Sequence, residues 1–259
     1  MPASQDKISA RKGVEVAAAT DVGCQRENNE DCYLYWEPTD EAGFQSKGRL
    51  AVVADGMGGH EGGQEASRIA TEAIREGYAE EPGSDPQSGL LAGFRQGHEK
   101  VVQYAAEHLQ LRGMGTTATA IALRGNRLCF AHIGDSRLYR VHGQEISRLT
   151  RDHSYVGRLF ENGVITAEEA EVHPQRHILT AALGTGPEIP PDTPEQPIML
   201  EANDVLVMCT DGLWGLVADH EIQRIVSSKS AAGACQALIE MAKQRGGPDN
   251  ITVIVLRVN

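Results

Sequence analysis

The chain of 259 residues contains short apolar runs that each meet an acidic residue at one end. Four such runs occupy positions 50–54, 128–133, 205–210 and 251–256. The acidic residues beside them are Asp55, Asp135, Asp211 and Asp249, of which Asp249 precedes its run and the others follow theirs. Short apolar runs bounded by turn residues are typical of buried strands. The pattern therefore predicts four strands that place carboxylates at their ends.

Two long stretches after the first of these runs repeat apolar or small residues at helical spacing. The first passes through Ala66, Ile69, Ala70, Ala73, Ile74 and Tyr78, and the second through Leu90, Leu91, Phe94, Val101, Val102, Ala105 and Leu109. Further helices are predicted at 155–162, 222–226 and 231–243, and further strands at 14–20, 32–36, 118–123 and 137–141. Residues 37–48 are predicted to be a hairpin loop, and the polar residues 1–12 a loose, flexible tail.

The order of these elements favours the α+β class. Hairpin spacings dominate, the helices come in two consecutive pairs, and no βαβ rhythm is present. We therefore expect antiparallel sheets with helices layered outside them. The length suits one large domain, at 13–259. Residues 151–186 interrupt the pattern and are predicted to form an irregular insert next to the functional site.

Charge and composition narrow the classes of function. The formal net charge is −12, which would repel a phosphate backbone and argues against a nucleic-acid partner. No apolar segment approaches the roughly 18 to 20 residues that a membrane span requires. The five cysteines are scattered and lack C-x-x-C spacing, which favours reduced thiols and argues against zinc. We expect a cytoplasmic monomer that does not bind membranes.

The four aspartates at strand ends suggest a metal site. A single aspartate in that position is more often a turn former than a ligand. Four of them, three followed directly by a glycine or an asparagine, could converge on one edge of a sheet and hold hard cations through oxygen. Ligands of this kind suit Mg²⁺ or Mn²⁺ better than zinc.

Seven motifs, in order along the chain, resemble those of the metal-dependent serine/threonine protein phosphatases of type 2C, in their compact bacterial form. They are Arg26-Glu-Asn-Asn-Glu-Asp31, Asp55-Gly-Met-Gly-Gly-His60, Gly115-Thr-Thr-Ala118, Gly134-Asp-Ser-Arg137, Leu149-Thr-Arg-Asp-His-Ser154, Asp211-Gly-Leu-Trp214 and Asp249-Asn-Ile-Thr252. The resemblance covers residues 14–258. It implies a four-layer α/β/β/α sandwich, in which two antiparallel sheets are flanked by helix pairs and residues 151–186 form a flap-like insert.

The resemblance also implies a ligand set at one end of the sandwich. Asp55, Asp211 and Asp249 would hold one metal ion, and Asp55 with the carbonyl of Gly56 and waters would hold a second. Two tightly bound Mn²⁺ or Mg²⁺ ions are expected, with a third, weaker ion on Asp135 and Asp211. A glycine at position 56 would let the backbone approach an ion closely. Asp31 and Glu30 would orient metal-bound water.

Other candidate residues would contact the substrate. By the same resemblance Arg26 would clamp phosphate oxygens, although its residue type alone favours an ordinary surface arginine. Met57 stands where animal members of the family carry a histidine, so His60 becomes the candidate proton donor, with a structural role as the alternative. His153 and His177 are predicted to be solvent-exposed loop residues.

These features together predict a phosphatase acting on phosphoserine and phosphothreonine in proteins. A hydroxide bridging two metal ions would attack directly, because no cysteine lies in a loop suited to covalent catalysis. The partners would be phosphorylated proteins, including a bacterial serine/threonine kinase whose action the enzyme reverses. One alternative is a phosphatase for a single regulator protein. Another is an inactive phosphoprotein-binding module, which the intact aspartates disfavour, and a two-metal nuclease is disfavoured by the acidic charge.

Overall fold

The computed structural model describes residues 4–166, 169–170 and 172–259, without the side chains of residues 4–7 and 60. One six-stranded sheet, the first sheet, contains β1 (Ser4–Lys7), β2 (Val14–Asp21), β8 (Arg137–His142), β9 (Glu145–Arg148), β11 (Val205–Cys209) and β12 (Ile251–Val258). The second sheet contains β3 (Asp31–Trp36), β4 (Arg49–Met57), β5 (Gly115–Thr116), β6 (Ala118–Arg124), β7 (Arg127–Ile133) and β10 (Ile198–Met199). Their strand orders are β1-β2-β12-β11-β8-β9 and β10-β7-β6-β4-β3, with β5 beside β4, and neighbouring strands pair antiparallel.

Two helix pairs cover the outer faces of the sheets. Helices α2 (His60–Glu80) and α3 (Pro86–Glu107) pack on the second sheet, and α6 (Asp219–Ser228) and α7 (Ala231–Gln244) on the first. Among the elements whose bounds the described residues give, the shorter helices are α1 (Glu41–Lys47), α4 (Tyr155–Glu161) and α5 (Asp211–Trp214), and a 3₁₀ turn lies at Leu109–Leu111. Within the described residues, no helix has both the length and the apolar character needed to cross a membrane. The predicted four-layer α/β/β/α sandwich is confirmed.

Three apolar layers explain why the sequences of the central strands are continuous hydrophobic runs. In β11, Val207 points into the layer beneath α6 and α7, whereas Leu206 and Met208 point into the layer between the sheets. A third layer lies between the second sheet and its helices. Strands buried on both faces need apolar residues at every position, so they lose the alternation of a half-exposed strand. Their ends carry the polar residues of the site.

Two segments differ from the sequence-based expectation. The loop predicted at 37–48 contains α1, whose start is capped by the side chain of Asp40 accepting a hydrogen bond from the backbone of Gly43 at 2.8 Å. Hydrophobic periodicity does not detect this helix, because it is short and polar. The aspartate that caps its start is the signal in the sequence. Residues 4–7, predicted to belong to a loose tail, pair with β2 in the register Ser4 to Thr20. Strand pairing uses backbone groups, so it requires no apolar pattern.

Candidate functional site

The strand ends meet at a cleft of ≈ 560 Å³ at one end of the sandwich. The aspartates that line it are Asp55, Asp135, Asp211 and Asp249. Asp55 lies near the end of β4, and Asp211 is the first residue of α5, directly after β11. Asp31, the first residue of β3, is the direct cross-strand partner of Asp55. The four aspartates therefore line one cleft, but they come from the ends of strands in two sheets rather than from one edge of a single sheet.

The backbone around Asp55 is fixed by the motif at 115–118. The Asp55 N–H donates to Oγ1 of Thr117 at 2.9 Å, and the Thr117 N–H donates to the Asp55 carbonyl at 2.9 Å. The hydroxyl of Thr116 donates to the same carbonyl at 2.9 Å. Thr117 also shares a hydrogen bond of 2.7 Å with the buried hydroxyl of Ser136. These contacts hold the end of β4 in one position and leave the Asp55 carboxylate directed to the cleft.

Asp31 lies behind Asp55 in a strongly acidic environment. Its Oδ2 accepts a hydrogen bond of 2.8 Å from the hydroxyl of Thr210, at the end of the neighbouring sheet. Burial raises the pKa of Asp31 to about 7, and the charges of Asp211 and Asp249 act in the same direction. Its Oδ1 is buried, and no hydrogen-bond donor among the described residues reaches it.

The other carboxylates also repel one another. Burial raises the pKa of Asp55 well above its usual range, and the charges of Asp31 and Asp211 contribute next. Burial likewise raises the pKa of Asp135, followed by repulsion from Asp211 and Asp152. Like charges held together in a buried site favour either protonation or a bound cation. The cluster therefore has the electrostatic character of a cation site.

The donor atoms fit hard divalent cations. All the candidate ligands are oxygens, and Oδ1 of Asp211 is buried with no hydrogen-bond donor in reach within the part of the chain that the structure describes. Among those same residues, no three Asp, Glu, His or Cys side chains converge closely enough to form a site by themselves. An ion in this cleft would therefore complete its coordination with backbone carbonyls and water, as Mg²⁺ and Mn²⁺ commonly do.

Gly56 lines the cleft, and packing explains why it is glycine. A Cβ at this position would lie 2.0 Å from the carbonyl oxygen of Gly63 in α2 and 2.7 Å from that of Glu30. Both distances are far below van der Waals contact. The sequence suggested that the glycine allows an ion to approach, whereas the structure adds that it allows α2 to approach. This contact places the start of α2 beside the cleft.

Arg26 lies at the rim of the cleft in the loop that connects β2 to β3. Its side chain is 50% exposed, and its Nη2 donates to Oδ2 of Asp249 at 2.8 Å. An exposed guanidinium next to the carboxylates can reach a phosphate that enters the cleft. Arg26 is therefore placed at the cleft, where the sequence-based prediction requires it to be.

The structure bears differently on the predictions for His60, His177 and His153. The side chain of His60 lies outside the described residues, although residue 60 begins α2. His177 is 65% exposed, as expected, but it also lines the cleft, with Nδ1 3.8 Å from Oδ2 of Asp211. The prediction that His153 is solvent-exposed is wrong. Its side chain is 18% exposed and its Nε2 lies 3.3 Å from Oδ2 of Asp192, a partner almost forty residues away that local sequence cannot reveal.

Two residues to which the sequence reasoning gave no role contact the candidate site residues or their loops. Asn250 hydrogen-bonds the loop that carries Arg26, and the only signal for it was its place beside Asp249. Trp214 donates from Nε1 to the carbonyl of Asp135 at 2.9 Å, and the guanidinium of Arg137 lies 3.5 Å from the centre of its ring. The tryptophan thereby connects α5, which begins at Asp211, to the backbone of Asp135.

Comparison with known proteins identifies relatives that share most of this chain. Residues 27–252 match the family model described as protein phosphatase 2C. The serine/threonine protein phosphatase PstP of Mycobacterium tuberculosis is 39% identical over 242 residues, which are 93% of this chain and 44% of that protein. Protein phosphatase PhpP of Streptococcus pneumoniae is 35% identical over 255 residues, with 95% of this chain and 98% of that protein covered. The chain thus spans less than half of PstP and nearly all of PhpP.

A solved structure shares the fold. The crystal structure of the catalytic domain of the serine/threonine protein phosphatase PstP, in complex with two manganese ions, matches with a TM-score of 0.82 and 36% sequence identity. The match covers 95% of this chain and 98% of that one. The likeness therefore extends over nearly the whole chain.

Proposed function

Because this chain belongs to the protein phosphatase 2C family, we propose that it removes phosphate from phosphoserine and phosphothreonine in proteins with the help of divalent cations. The observation that carries the proposal is the convergence of four aspartates and Arg26 on one cleft. A phosphate monoester is an anion whose hydrolysis requires neutralised oxygens and an activated water. The cleft combines oxygen ligands for cations with a guanidinium for the phosphate, which is the combination that this reaction needs.

The proposed ligand set follows the positions of the carboxylates. Asp55, Asp211 and Asp249 would hold one ion, and Asp55 with the carbonyl of Gly56 would hold a second. Asp135 and Asp211 would hold a third, weaker ion. When bound, Mn²⁺ or Mg²⁺ neutralises phosphate oxygens and lowers the pKa of a coordinated water towards neutrality. The relative PstP, whose catalytic domain was crystallised with two manganese ions, supports a pair of bound ions.

The remaining roles belong to side chains of this chain. Arg26 would grip two phosphate oxygens through its planar guanidinium, and its exposure at the rim leaves it accessible to substrate. Asp31 would orient the attacking water through Oδ1, while the Thr210 hydroxyl holds Oδ2. His60 stays the proposed proton donor to the leaving oxygen. Thr117 would keep Asp55 in position through its paired backbone contacts.

The proposed substrates are phosphorylated proteins, and the enzyme would reverse the action of a serine/threonine kinase. The names of the two relatives, a serine/threonine protein phosphatase and a protein phosphatase, support this class of substrate. The open cleft, which Arg26 and His177 reach from opposite elements, is accessible to a phosphorylated side chain on a protein surface.

The test is phosphate release from matched phosphothreonine and phosphotyrosine peptides by protein dialysed against EDTA. We expect no release in EDTA, release from the phosphothreonine peptide after Mn²⁺ is added, and much slower release from the phosphotyrosine peptide. Asp55→Asn is the matched control, because it keeps the size of the side chain and removes its charge. Full activity in EDTA would refute the metal mechanism, and binding of the peptide without release would indicate the inactive binding module.

A further inference from the structure

The side chain of Asn250 joins the two ends of the loop that carries Arg26, residues 22–30. Nδ2 of Asn250 donates to the carbonyl of Val22 at 3.0 Å and to the carbonyl of Asn28 at 2.9 Å. Oδ1 of Asn250 accepts a hydrogen bond of 2.8 Å from the backbone N–H of Glu30. The amide therefore joins the beginning of the loop to its end.

The chemistry of this contact requires an amide. Asn250 is 5% exposed, and its carboxamide uses both of its N–H donors and its oxygen on backbone groups of the loop. The N–H of Glu30 is a donor, so it fixes which end of the amide is oxygen. An aspartate at position 250 would keep the acceptor but would place a carboxylate against two carbonyl oxygens.

The first arm of the loop also rests on the turn that contains Asn250. The N–H of Cys24 donates to the carbonyl of Gly247 at 2.7 Å. Gly23 adopts a φ of +81°, and a Cβ there would lie 2.1 Å from the carbonyl oxygen of Asp249. This close approach leaves Arg26, three residues later, beside Asp249. The loop and the turn thus form one unit with the guanidinium at its tip.

We propose that Asn250 is a positioning residue, which closes the loop 22–30 so that the guanidinium of Arg26 stays at the rim of the cleft. The inference rests on the proposed function in one respect, since it takes Arg26 to bind the substrate phosphate. Without the amide, the arms at Val22 and Asn28 lose their common anchor, and Arg26 must be ordered when substrate binds. The cost would fall mainly on KM, because ordering is required in the complex and in the transition state alike.

The first experiment measures amide hydrogen exchange of the full chain and does not depend on catalysis. Asn250→Ala is expected to make the 22–31 segment exchange at least roughly tenfold faster, because the Glu30 N–H loses its acceptor, while β11 stays protected. Asn126→Ala is the matched control, since the Asn126 amide contacts the carbonyl of Leu200 at the far end of the second sheet. Unchanged exchange in 22–31 would overturn the proposal.

The second experiment is a double-mutant cycle with Arg26→Ala on a phosphothreonine peptide. Asn250→Ala should raise KM roughly tenfold when Arg26 is present and less than about twofold when it is absent. If Asn250→Ala raised KM by the same factor with and without Arg26, Asn250 would not act through Arg26, and the proposal would be overturned. Asn250→Ser, which removes the amide but keeps a polar group and adds no charge, serves if the alanine variant does not fold. A wild-type protein without phosphatase activity would refute the proposed function, whereas the exchange result would still decide whether Asn250 holds the loop.

Discussion

The guanidinium of Arg26 lies against the carboxylate of Asp249, with Nη2 2.8 Å from Oδ2. The side chain proposed to bind phosphate therefore touches a side chain proposed to bind a cation. The pair brings together residues 223 positions apart in the sequence. The positive group that a phosphate requires and the negative group that a divalent cation requires therefore lie next to each other at the rim of the cleft.

The first prediction concerns Arg26→Ala. We expect KM for a phosphothreonine peptide to rise more than kcat falls, because the guanidinium grips the bound substrate and the transition state about equally. The expected loss is roughly 1.5 to 3 kcal/mol, as for a charge-assisted hydrogen-bonded pair. Steady-state kinetics gives KM and kcat separately. Arg68→Ala is the control, since Arg68 pairs with Glu65 and Glu72 on the exposed face of α2. An unchanged KM for Arg26→Ala would show that Arg26 is an ordinary surface arginine that does not bind the substrate.

Metal removal should lower thermal stability as well as activity. The buried aspartates repel one another, so cations that bind the folded chain stabilise it by mass action, by about 2.7 kcal/mol at a concentration of 100 times Kd. We expect Tm to rise when Mn²⁺ is added after EDTA dialysis, as measured by calorimetry. Asp55→Asn should abolish most of this rise. The same Tm with and without Mn²⁺ would contradict a metal site in the cleft.

Asp135→Ala should separate the third, weaker site from the tight pair. Only Asp135 and Asp211 are proposed to serve that ion, so water would fill most of its coordination and its affinity would be low. We expect the fold and the tight sites to persist, with lower turnover on phosphopeptides and activation shifted to higher Mn²⁺ concentration. Metal titrations of kcat and calorimetric binding test this. Activation curves that coincide with the wild type would reject the third site, and loss of tight binding would place Asp135 in the central cluster.

Gly56→Ala should destabilise the fold much more than a glycine substitution in an open turn. The added Cβ would meet the backbone of Gly63, which cannot move without shifting α2. We expect a loss of more than about 3 kcal/mol in the free energy of unfolding, measured with urea. Gly125→Ala is the control, because its φ is +61° but nothing lies within 4 Å of its Cβ, and it should cost about 1 kcal/mol. Similar losses in both variants would contradict the packing argument.

His132 should make the protein less stable as pH falls. Burial lowers its pKa to about 4, and the ring of His153 at 4.9 Å acts in the same direction. Its unfolded pKa is about 6.5. The unfolded chain therefore takes up a proton between these values that the folded chain does not, and the free energy of unfolding falls by up to about 1.4 kcal/mol per pH unit.

The measurement is urea unfolding at pH 6.5 and 4.5 in EDTA, for the wild type and His132→Gln. Asp152 and Asp192, which also act on His132, and the aspartates of the cleft titrate in both proteins, so the comparison isolates position 132. We expect a shallower pH dependence in the variant. Parallel curves would show that His132 does not carry this effect.

The positions of the aspartates could be predicted from sequence because a strand end is a local feature. The apolar runs before Asp55 and Asp211 reveal both the strand and the point where it stops. The antiparallel sheets and helix pairs follow from the same periodicities. Helix α1 was missed because seven residues are too few for a helical pattern, and its signal was the capping side chain of Asp40.

The contacts between distant segments could not be predicted in this way. Asn250 bonds to Val22 and Asn28, which are 228 and 222 positions away. The contact of His153 with Asp192 likewise depends on the pairing of Asp192, which follows the insert, with His132 of β7. Residue types and spacing indicate which side chains can donate or accept, but the fold decides which of them meet.

The site straddles the two sheets. Asp55 belongs to the second sheet, whereas Asp211 and Asp249 flank strands of the first. The alignment of these carboxylates therefore depends on the apolar layer between the sheets, where Met208 and Ile254 pack. If one sheet slid along the other by about 1 Å, both would stay intact while the ligands fell out of register, and such a displacement can cost roughly a hundredfold in rate. Shear between the sheets would thus be a mechanical variable of the proposed catalysis, and we expect substitutions that loosen this layer to lower activity before the chain unfolds.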